Sequence, residues 1–257
     1  MQVALNRPTK LNAMNADFWR ELKQCMERIS DDGDVRAVVL TGGTSRIFTA
    51  GLDITPGAGM SIMSKDVGRR ALEMHQNILT PQEAITSVEA CRKPVIVALH
   101  NKIIGGGIDL ACACDIRYCT KDAAFLIAEV DVGLAADIGT LQRMPKKIGN
   151  DSIMRELALT GRKMDASEAL QLGLVGKVLD DQAACIAAAH ATAKLIAEKS
   201  PIAVVGTKLS LNYSLDHSVQ EGLDHIRWWN MSMLQSEDFK MAVIAQLKKE
   251  KPQFARL

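Results

Sequence analysis

Three carboxylic acids in the mostly apolar stretch Ile103–Asp137 are the residues with the clearest potential for chemistry. Asp109 comes two residues after the triple glycine Gly105–Gly107, and Glu129 and Asp137 follow further along the chain. A carboxyl group in apolar surroundings has a raised pKa and can exchange protons with a substrate near neutral pH. The stretch therefore contains the side chains that general acid–base chemistry requires.

The three glycines lie between two apolar segments, Val95–Leu99 and Ile108–Cys114. This arrangement predicts a strand, a turn and a helix, and glycines in such a turn allow a ligand to approach the backbone N–H groups. The turn can bind an anion or an oxyanion. Most glycine runs of this kind are ordinary turns, so the run alone does not establish a site.

Each acid also has a structural interpretation. Asp109 is a candidate N-cap, and Asp137 is a candidate N-cap for a helix predicted over Ile138–Lys147, because a short acceptor satisfies free N–H groups there. Glu129 lies in Ala123–Val130, which predicts a buried strand. A buried acid without a partner costs several kcal/mol, so Glu129 is expected either to be paired or to use a raised pKa.

A second glycine turn is predicted in Phe48–Ile54, with the sequence FTAGLDI. Gly51 permits a backbone conformation that other residues rarely adopt, and a strand entering such a turn can present a further N–H group to the same ligand. An ordinary loop is the alternative, which this segment alone does not exclude.

The elements that must position these residues follow an α/β pattern. Strands are predicted at Gln2–Leu5, Ala37–Thr41, Pro94–Leu99 and Val175–Val178. Helices are predicted at Ala16–Ser30, Ser61–Arg92 with a start or break at Pro81, Leu157–Thr160, Asp165–Leu172, Asp181–Glu198, from Ser200 and Pro201 onward, Ser218–Met233 and Ser236–Lys249. Strands therefore concentrate before about residue 180 and helices follow, which indicates an α/β core with a helical appendage.

Composition limits the classes of function. The 257 residues are 47% hydrophobic, enough for a large core, and the 31 basic and 30 acidic residues are interleaved with a net charge of +1. The balanced charge and an aromatic content of 4% argue against nucleic acid or a membrane as the main partner. No apolar run reaches the ~18 residues that span a bilayer, and the N-terminus lacks the features of a signal peptide.

The cysteines suggest neither a metal site nor a disulfide framework. Six are present, without CxxC spacing and mostly within apolar segments, at Cys25, Cys91, Cys112, Cys114, Cys119 and Cys185. They are expected to be small core residues in a reducing compartment.

Five segments extend in order over nearly the whole chain: LNRPTKLNAMN, FTAGLDI, KPVIVALHNKIIGGGIDLACACDIRY, FLIAEVDVGLAADIGTLQRMPKKIG and GRKMDASEALQLGLV. Together they resemble the enoyl-CoA hydratase/isomerase, or crotonase, superfamily. The resemblance implies an α/β fold in which a crotonase-like spiral of ββα repeats, at residues 1–195, precedes a helical C-terminal trimerisation region, at residues 196–257. It also implies a homotrimer, or a hexamer built as a dimer of trimers.

The resemblance further implies an oxyanion hole for an acyl-CoA thioester. In the family, two backbone N–H groups polarise the thioester carbonyl, and here they belong to Leu52 and Gly106. The substrate is expected to contact the first loop, which is predicted at Asn6–Asn15, and both glycine turns. The residues are Asn12, Ala13, Ala50, Gly51, Leu52, Asp53, Ile54, Gly105 and Gly106. Coenzyme A is then part of the substrate, and no separate cofactor and no metal are expected.

The acids distinguish activities within the family. Hydratases carry Glu at the positions of Asp109 and Glu129 and a small residue at the position of Asp137. The acids here, with the flanks EVDVGLAADIGTLQR and HSVQEGL, resemble instead the members that isomerise 3,5-dienoyl-CoA to 2,4-dienoyl-CoA in unsaturated fatty-acid β-oxidation. This resemblance implies that Glu129 takes a proton from C2 and that Asp137 returns one at C6. Asp109 would line the pocket and either tune Glu129 or hold the acyl chain.

Other activities of the family stay open. A hydratase or a Δ3-Δ2-enoyl-CoA isomerase is disfavoured by Asp109 and Asp137. A non-catalytic member that binds acyl-CoA or RNA is disfavoured by the intact acids, both glycine turns and the balanced charge. Family members use no histidine at the position of His100, which is therefore expected to pack or hydrogen-bond locally.

The last three residues, Ala255-Arg256-Leu257, are a small residue, a basic residue and leucine, and they resemble a peroxisomal address read by an import receptor. A peroxisomal location is therefore expected, with mitochondria as the alternative. Such an address is not a membrane anchor, so it adds no prediction of membrane binding.

Overall fold

A computed structural model describes residues 1–55 and 63–257 of the chain. Its strands are β1 (Gln2–Ala4), β2 (Val38–Thr41), β3 (Val95–Leu99), β4 (Lys102–Ile104), β5 (Ile116–Thr120), β6 (Ala124–Leu126), β7 (Met164–Asp165) and β8 (Lys177–Leu179). Its α-helices are α1 (Ala16–Asp31), α2 (Val67–Ala90), α3 (Gly106–Ala113), α4 (Thr140–Arg143), α5 (Asp151–Thr160), α6 (Ala166–Gln171), α7 (Gln182–Ala197), α8 (Pro201–Tyr213), α9 (Val219–Met233) and α10 (Glu237–Lys248).

A five-stranded parallel sheet forms the centre of the fold, in the order β1-β2-β3-β5-β8. Strands β2 and β3 are buried along their whole length, and they are almost continuously apolar because both faces of the sheet are covered. Helix α7 covers one face through Cys185, Ala189 and Ala193. Helices α1, α2 and α3 contribute to the larger core on the other face.

A smaller sheet carries the segments of greatest chemical interest. Its order is β4-β6-β7, with β4 and β6 parallel and Ile104 paired with Leu126. Because the strands are parallel, their carboxyl ends meet at one edge, where β4 leads into the triple glycine and β6 leads towards Glu129. The sheet therefore sets the distance between the glycine turn and this acid.

Two elements near the acids differ from the sequence-based prediction. The strand predicted over Ala123–Val130 ends at Leu126, because neither neighbouring strand extends further, and Glu129 instead begins a 3-10 helix, Glu129–Val132. The helix predicted over Ile138–Lys147 is divided into α4 and a short 3-10 helix.

Both N-cap interpretations are wrong. The N-cap of α4 is Gly139, whose φ of +136° separates the helix from Asp137. The N-cap of α3 is Gly105, so Asp109 lies inside that helix. Neither acid caps its own helix, and each is left for another role.

The other predicted elements are confirmed, with shifted ends. Helix α5 begins earlier than the predicted Leu157, and the start or break predicted at Pro81 is wrong, because Pro81 lies within the single helix α2. Residues 61 and 62 of the predicted helix Ser61–Arg92 lie outside the described residues. The division predicted after residue 195 falls within the last turn of α7.

A partly buried ion pair attaches α8 to the core. Lys208 of α8 donates to Asp115 (2.7 Å) and to the carbonyl oxygen of Lys93 (3.2 Å), and Asp115 also accepts from the N–H of Val95 (2.7 Å). Among the described residues, no helix combines the length and apolar character needed to cross a membrane.

Candidate active site

The two glycine turns lie against each other. The N–H of Ile104 donates to the carbonyl of Thr49 (3.3 Å), and the N–H of Met14 donates to the carbonyl of Gly51 (2.8 Å). Gly51 has a φ of +81°, and a Cβ there would lie 2.8 Å from the carbonyl oxygen of Ile104. Both conformation and space therefore require glycine, and the predicted turn is confirmed.

Leu52 and Gly106 each present an unused backbone N–H. Within residues 1–55 and 63–257, neither group donates a hydrogen bond. Gly106 is the first residue of α3, where N–H groups have no partner in the helix and carry the positive end of its dipole. The two groups are thus available to an oxygen that gains negative charge, and their role as an oxyanion hole stays a prediction.

Asn12 and Asp53 use their side chains inside the protein. Asn12 is buried, and its amide accepts from the N–H of Arg7 (3.0 Å) and donates to two backbone carbonyls (2.8 and 2.9 Å). Asp53 is paired with Arg7, and hydrogen bonds from Thr55 and Arg7 lower the pKa of Asp53 to about 2. Both side chains stabilise the loop around the Gly51 turn, which leaves only their backbone atoms for a substrate.

The remaining residues predicted to bind substrate at or beside the Gly51 turn differ in exposure. Leu52 and Ile54 are 53% and 78% exposed and form an apolar surface next to the turn. Ala13 and Ala50 are half-buried. The exposed pair is therefore the part of this turn that a ligand can contact through side chains.

Asp109 is fully buried in α3. Its Oδ1 accepts a short hydrogen bond from the N–H of Thr140, and its Oδ2 has no partner among the described residues. Burial, assisted by the charge of Glu129, raises the pKa of Asp109 to about 7. The side chain is a neutral acid below that pH, and it links α3 to the start of α4.

Glu129 lies beside the triple glycine. A Cβ on Gly105 would lie 3.1 Å from its Oε1, and its buried Oε2 has no partner among the described residues. Burial, followed by the charge of Asp137, raises the pKa of Glu129 above its ordinary value. Of the two alternatives derived from the sequence, a raised pKa is therefore favoured over a paired acid.

Asp137 lies in an irregular segment between the 3-10 helix Glu129–Val132 and helix α4. Its side chain is exposed in the single chain, and it borders a cavity of about 710 Å³ between α2, α4 and α8. Its charge contributes to the raised pKa of Glu129, so the two acids are close enough to interact. The structure thus brings all three predicted acids into one region.

Sequence reasoning missed the apolar wall of this region. Around the position that a Cβ of Gly106 would occupy lie Met14 Sδ (2.9 Å), Ile138 Cδ1 (3.4 Å) and Trp19 Cη2 (3.6 Å). Trp19 was identifiable only as a core residue of α1, because helical spacing says nothing about which buried face borders a site. These side chains make the surroundings of Gly106 apolar.

The arrangement suits proton transfer next to a carbonyl group. Two free N–H groups can stabilise an enolate oxygen, and acids with raised pKa values can take and return protons.

His100 is buried with its Nε2 2.9 Å from the carbonyl oxygen of Ser45, which confirms the expected local bond. The cysteines are all free and five are buried, as expected for core residues. The described residues contain no group of three or more metal-ligating side chains, and the absence of a metal stays a prediction.

The sequence matches the Enoyl-CoA hydratase/isomerase family over residues 1–256, and the protein belongs to this family. The mitochondrial Delta(3,5)-Delta(2,4)-dienoyl-CoA isomerase of Mus musculus is 52% identical over 97% of this chain and 76% of that protein. The peroxisomal Delta(3,5)-Delta(2,4)-dienoyl-CoA isomerase of Arabidopsis thaliana is 44% identical over 98% and 91%. The crystal structure of an enoyl-CoA hydratase from Bacillus anthracis, 27% identical, matches 99% of this chain and 94% of its own with a TM-score of 0.89. The expected family and its crotonase fold are confirmed.

Asp109→Asn is expected to change how stability depends on pH. The pKa of Asp109 is about 7 in the folded protein, against 3.8 for the ordinary side chain, so its contribution to stability is complete below pH ~4 and is lost as pH rises through ~7. Relative to the variant, the wild-type protein should lose on the order of 2–4 kcal/mol of unfolding free energy between pH 4 and 8, measured by urea denaturation.

Asp31→Asn is the matched control, because the Asp31 side chain is 84% exposed. This control should follow the wild-type pH dependence. Parallel curves for the wild type and Asp109→Asn would mean that Asp109 is ionised in the folded protein.

Proposed function

We propose that the protein is an isomerase that converts 3,5-dienoyl-CoA into 2,4-dienoyl-CoA in the β-oxidation of unsaturated fatty acids. The observation that carries the proposal is the position of Glu129, an acid with a free buried oxygen, beside the triple glycine that presents the unused N–H of Gly106. A second acid, Asp137, follows eight residues later in the chain. Relatives named for this activity are 52% and 44% identical to the chain. The second acid has a clear use in this reaction, because protons move at two separate carbons.

The reaction removes a proton from C2 and returns one at C6. Loss of the C2 proton gives a dienolate, whose electrons extend over the thioester and both double bonds. Protonation at C6 then leaves double bonds at C2–C3 and C4–C5. The two carbons are several ångströms apart, so one carboxyl group cannot easily reach both. In the proposal Glu129 is the base at C2 and Asp137, which holds a proton when the reaction begins, is the acid at C6. Exchange with solvent then removes the proton from Glu129 and returns one to Asp137 before the next turnover.

The N–H groups of Leu52 and Gly106 hold the dienolate oxygen in this mechanism. Both donors are free within the described residues, and the side chains beside Gly106 make its surroundings apolar. A fixed donor aimed at developing charge is worth about 10²–10³ in rate. Side chains and backbone groups of the protein perform each step, and coenzyme A takes part only as a portion of the substrate.

Asp109 sets the charge around Glu129. With a pKa of about 7, Asp109 is largely neutral in mildly acidic solution and adds no second negative charge beside the base. Glu129 then ionises more readily and is able to accept the C2 proton. Through Thr140, Asp109 also holds the helix that follows Asp137.

The coenzyme A portion is proposed to lie along the first loop, at Asn12 and Ala13, and the turn Ala50–Ile54. The exposed side chains of Leu52 and Ile54 offer apolar contacts there. Because the side chain of Asn12 is committed to internal hydrogen bonds, its contribution is through the backbone.

Assembly as a homotrimer or a hexamer is proposed from the helical region at residues 196–257. Helices α9 and α10, with the residue that follows α9, expose many large apolar side chains, including Leu223, Trp228, Met231, Leu234, Ile244 and Leu247. Exposed apolar surface of this extent is typical of interfaces between chains. Neither nucleic acid nor a membrane is proposed as a partner.

Delivery to peroxisomes is proposed through Ala255-Arg256-Leu257, with mitochondria as the alternative. The relatives include both a peroxisomal and a mitochondrial enzyme. Arg256 is paired with Asp34 (2.7 Å), and Arg36 donates to the carbonyl of Ala255 (2.8 Å). Exposed contacts of this kind are weak, so an import receptor can displace them.

The activity is tested with purified protein and 3,5-dienoyl-CoA, by following the ultraviolet band of conjugated 2,4-dienoyl-CoA, with 2-enoyl-CoA in parallel. Growth of the dienoyl band with little hydration supports the proposal. Hydration without isomerisation would make the protein a hydratase with unusual acids. Binding of acyl-CoA without either reaction would favour a non-catalytic family member.

Glu129→Gln and Asp137→Asn should each lower the rate of isomerisation by about 10²–10⁴-fold, because each removes one proton-transfer group. Binding of the CoA ester, measured by calorimetry, should persist. Asp131→Asn is the matched control, since Asp131 is an exposed acid in the same 3-10 turn as Glu129. Near-normal rates in either active-site variant would refute the assigned roles.

Removal of Ala255-Arg256-Leu257 should abolish peroxisomal localisation of the protein fused at its N-terminus to a fluorescent protein. The catalytic rate of the purified truncated protein should stay unchanged, because these residues are remote from the acids in sequence and contact Asp34 and Arg36 instead. Unchanged localisation would rule out the tripeptide as the address.

A further inference from the structure

The acid proposed to act at C6 lies on a segment that has no regular structure of its own. Residues 137–139 belong to no helix or strand, and Gly139 has a φ of +136°. A proton donor must nevertheless be held close to its target carbon, since a misplacement of about 1 Å can cost about 10²-fold in rate. Some other part of the protein must therefore fix this segment.

Helix α2 runs beside the segment and presents three polar side chains on one face. Gln82, Thr86 and Glu89 are spaced by four and three residues, so they lie in a row along the helix. The Nε2 of Gln82 donates to the carbonyl oxygen of Asp137 at 2.6 Å. This bond ties the backbone of the acid itself to α2.

Arg143 of α4 connects the same helix face to the next residues of the segment. Its Nε donates to Glu89 Oε2 (2.9 Å), and its Nη2 donates to Thr86 Oγ1 (3.0 Å). Its Nη1 lies 3.5 Å from the carbonyl oxygen of Ile138. The Arg143 and Glu89 side chains are only 15% and 24% exposed, so this ion pair is partly shielded from water.

Gly139 allows the guanidinium group to take this position. A Cβ on Gly139 would lie 2.0 Å from Nη1 of Arg143, so any larger residue would displace the arginine. The backbone carbonyls of Asp137 and Ile138 thus each face a donor. One donor is Gln82, which belongs to α2, and the other is Arg143, which is hydrogen-bonded to α2.

Glu129 is positioned by different elements. It follows β6, and its carboxyl group lies beside Gly105 at the end of β4. Neither Gln82 nor Arg143 hydrogen-bonds to Glu129, Leu52 or Gly106. The base and the distal acid are therefore held by separate parts of the protein.

We propose that Gln82 and Arg143 are positioning residues for the second proton transfer, which fix Asp137 at the distance where it reaches C6. The inference rests on the proposed isomerase activity and deepens it. It predicts that the two proton transfers can be separated, because loosening the segment of Asp137 leaves the C2 base and its oxyanion donors in place.

The test measures both transfers in deuterated buffer with 3,5-dienoyl-CoA. Exchange of the C2 hydrogens for deuterium in the remaining substrate, followed by mass spectrometry, reports the first transfer. Growth of the 2,4-dienoyl band reports the second. The proteins compared are the wild type, Gln82→Ala, Arg143→Met and Asp137→Asn, with Gln142→Ala as the matched control because Gln142 adjoins Arg143 but is exposed.

Gln82→Ala and Arg143→Met should lower the rate of isomerisation by about 10–10²-fold, which is the same kind of effect as that expected for Asp137→Asn. The rate of C2 exchange should stay within about threefold of wild type. Gln142→Ala should match the wild type in both measurements. A general loss of folding would instead lower exchange and isomerisation together.

Three outcomes are decisive. Wild-type isomerisation in both positioning variants would overturn the inference and leave the proposed function intact. A parallel fall of exchange and isomerisation would also overturn the inference, since the residues would then support the whole site. Absence of isomerisation in the wild-type protein would reject the proposed function, and the inference with it.

Discussion

The candidate site depends on one pairing of strands, the parallel contact of β4 with β6. The pairing aligns Ile104 with Leu126, and it continues into the hydrogen bond from the N–H of Gly105 to the carbonyl of Leu126 (2.9 Å). Because parallel strands end at the same edge, the N-terminus of α3 and the turn that contains Glu129 are brought together by backbone geometry alone. A shift of this register by one residue would separate the free N–H of Gly106 from Glu129, so that the two could no longer act on one substrate.

The same region contains polar groups that the fold leaves unsatisfied. Asp109 Oδ2 and Glu129 Oε2 are buried without a partner among the described residues, an arrangement that costs free energy in any protein core. The cost is reduced when the acids hold protons, which is what their raised pKa values express. A well-packed core can stabilise such a site, and unsatisfied acids of this kind are concentrated where chemistry is done.

Features with a strictly local cause could be predicted from the sequence. The turn at Gly51, the start of α3 in the triple glycine and the three acids all follow from residue type and motif order. The position of Glu129 could not, because the end of β6 depends on how far its neighbouring strands extend. Contacts between distant residues, such as that of Gln82 with Asp137, have no sequence periodicity that would reveal them. The internal use of the Asn12 side chain was likewise hidden in the fold.

The fold by itself does not select a reaction, since an enoyl-CoA hydratase only 27% identical matches it with a TM-score of 0.89. The shared scaffold therefore leaves the reaction to be set by the side chains that it carries. In the proposed mechanism the choice is made by where the second acid lies along the acyl chain. That acid lies in a segment without regular structure, so its reach is set by the side chains of α2 and α4 that hold its backbone. Specificity within a shared fold would then depend as much on the residues that fix an irregular segment as on the acid that the segment carries.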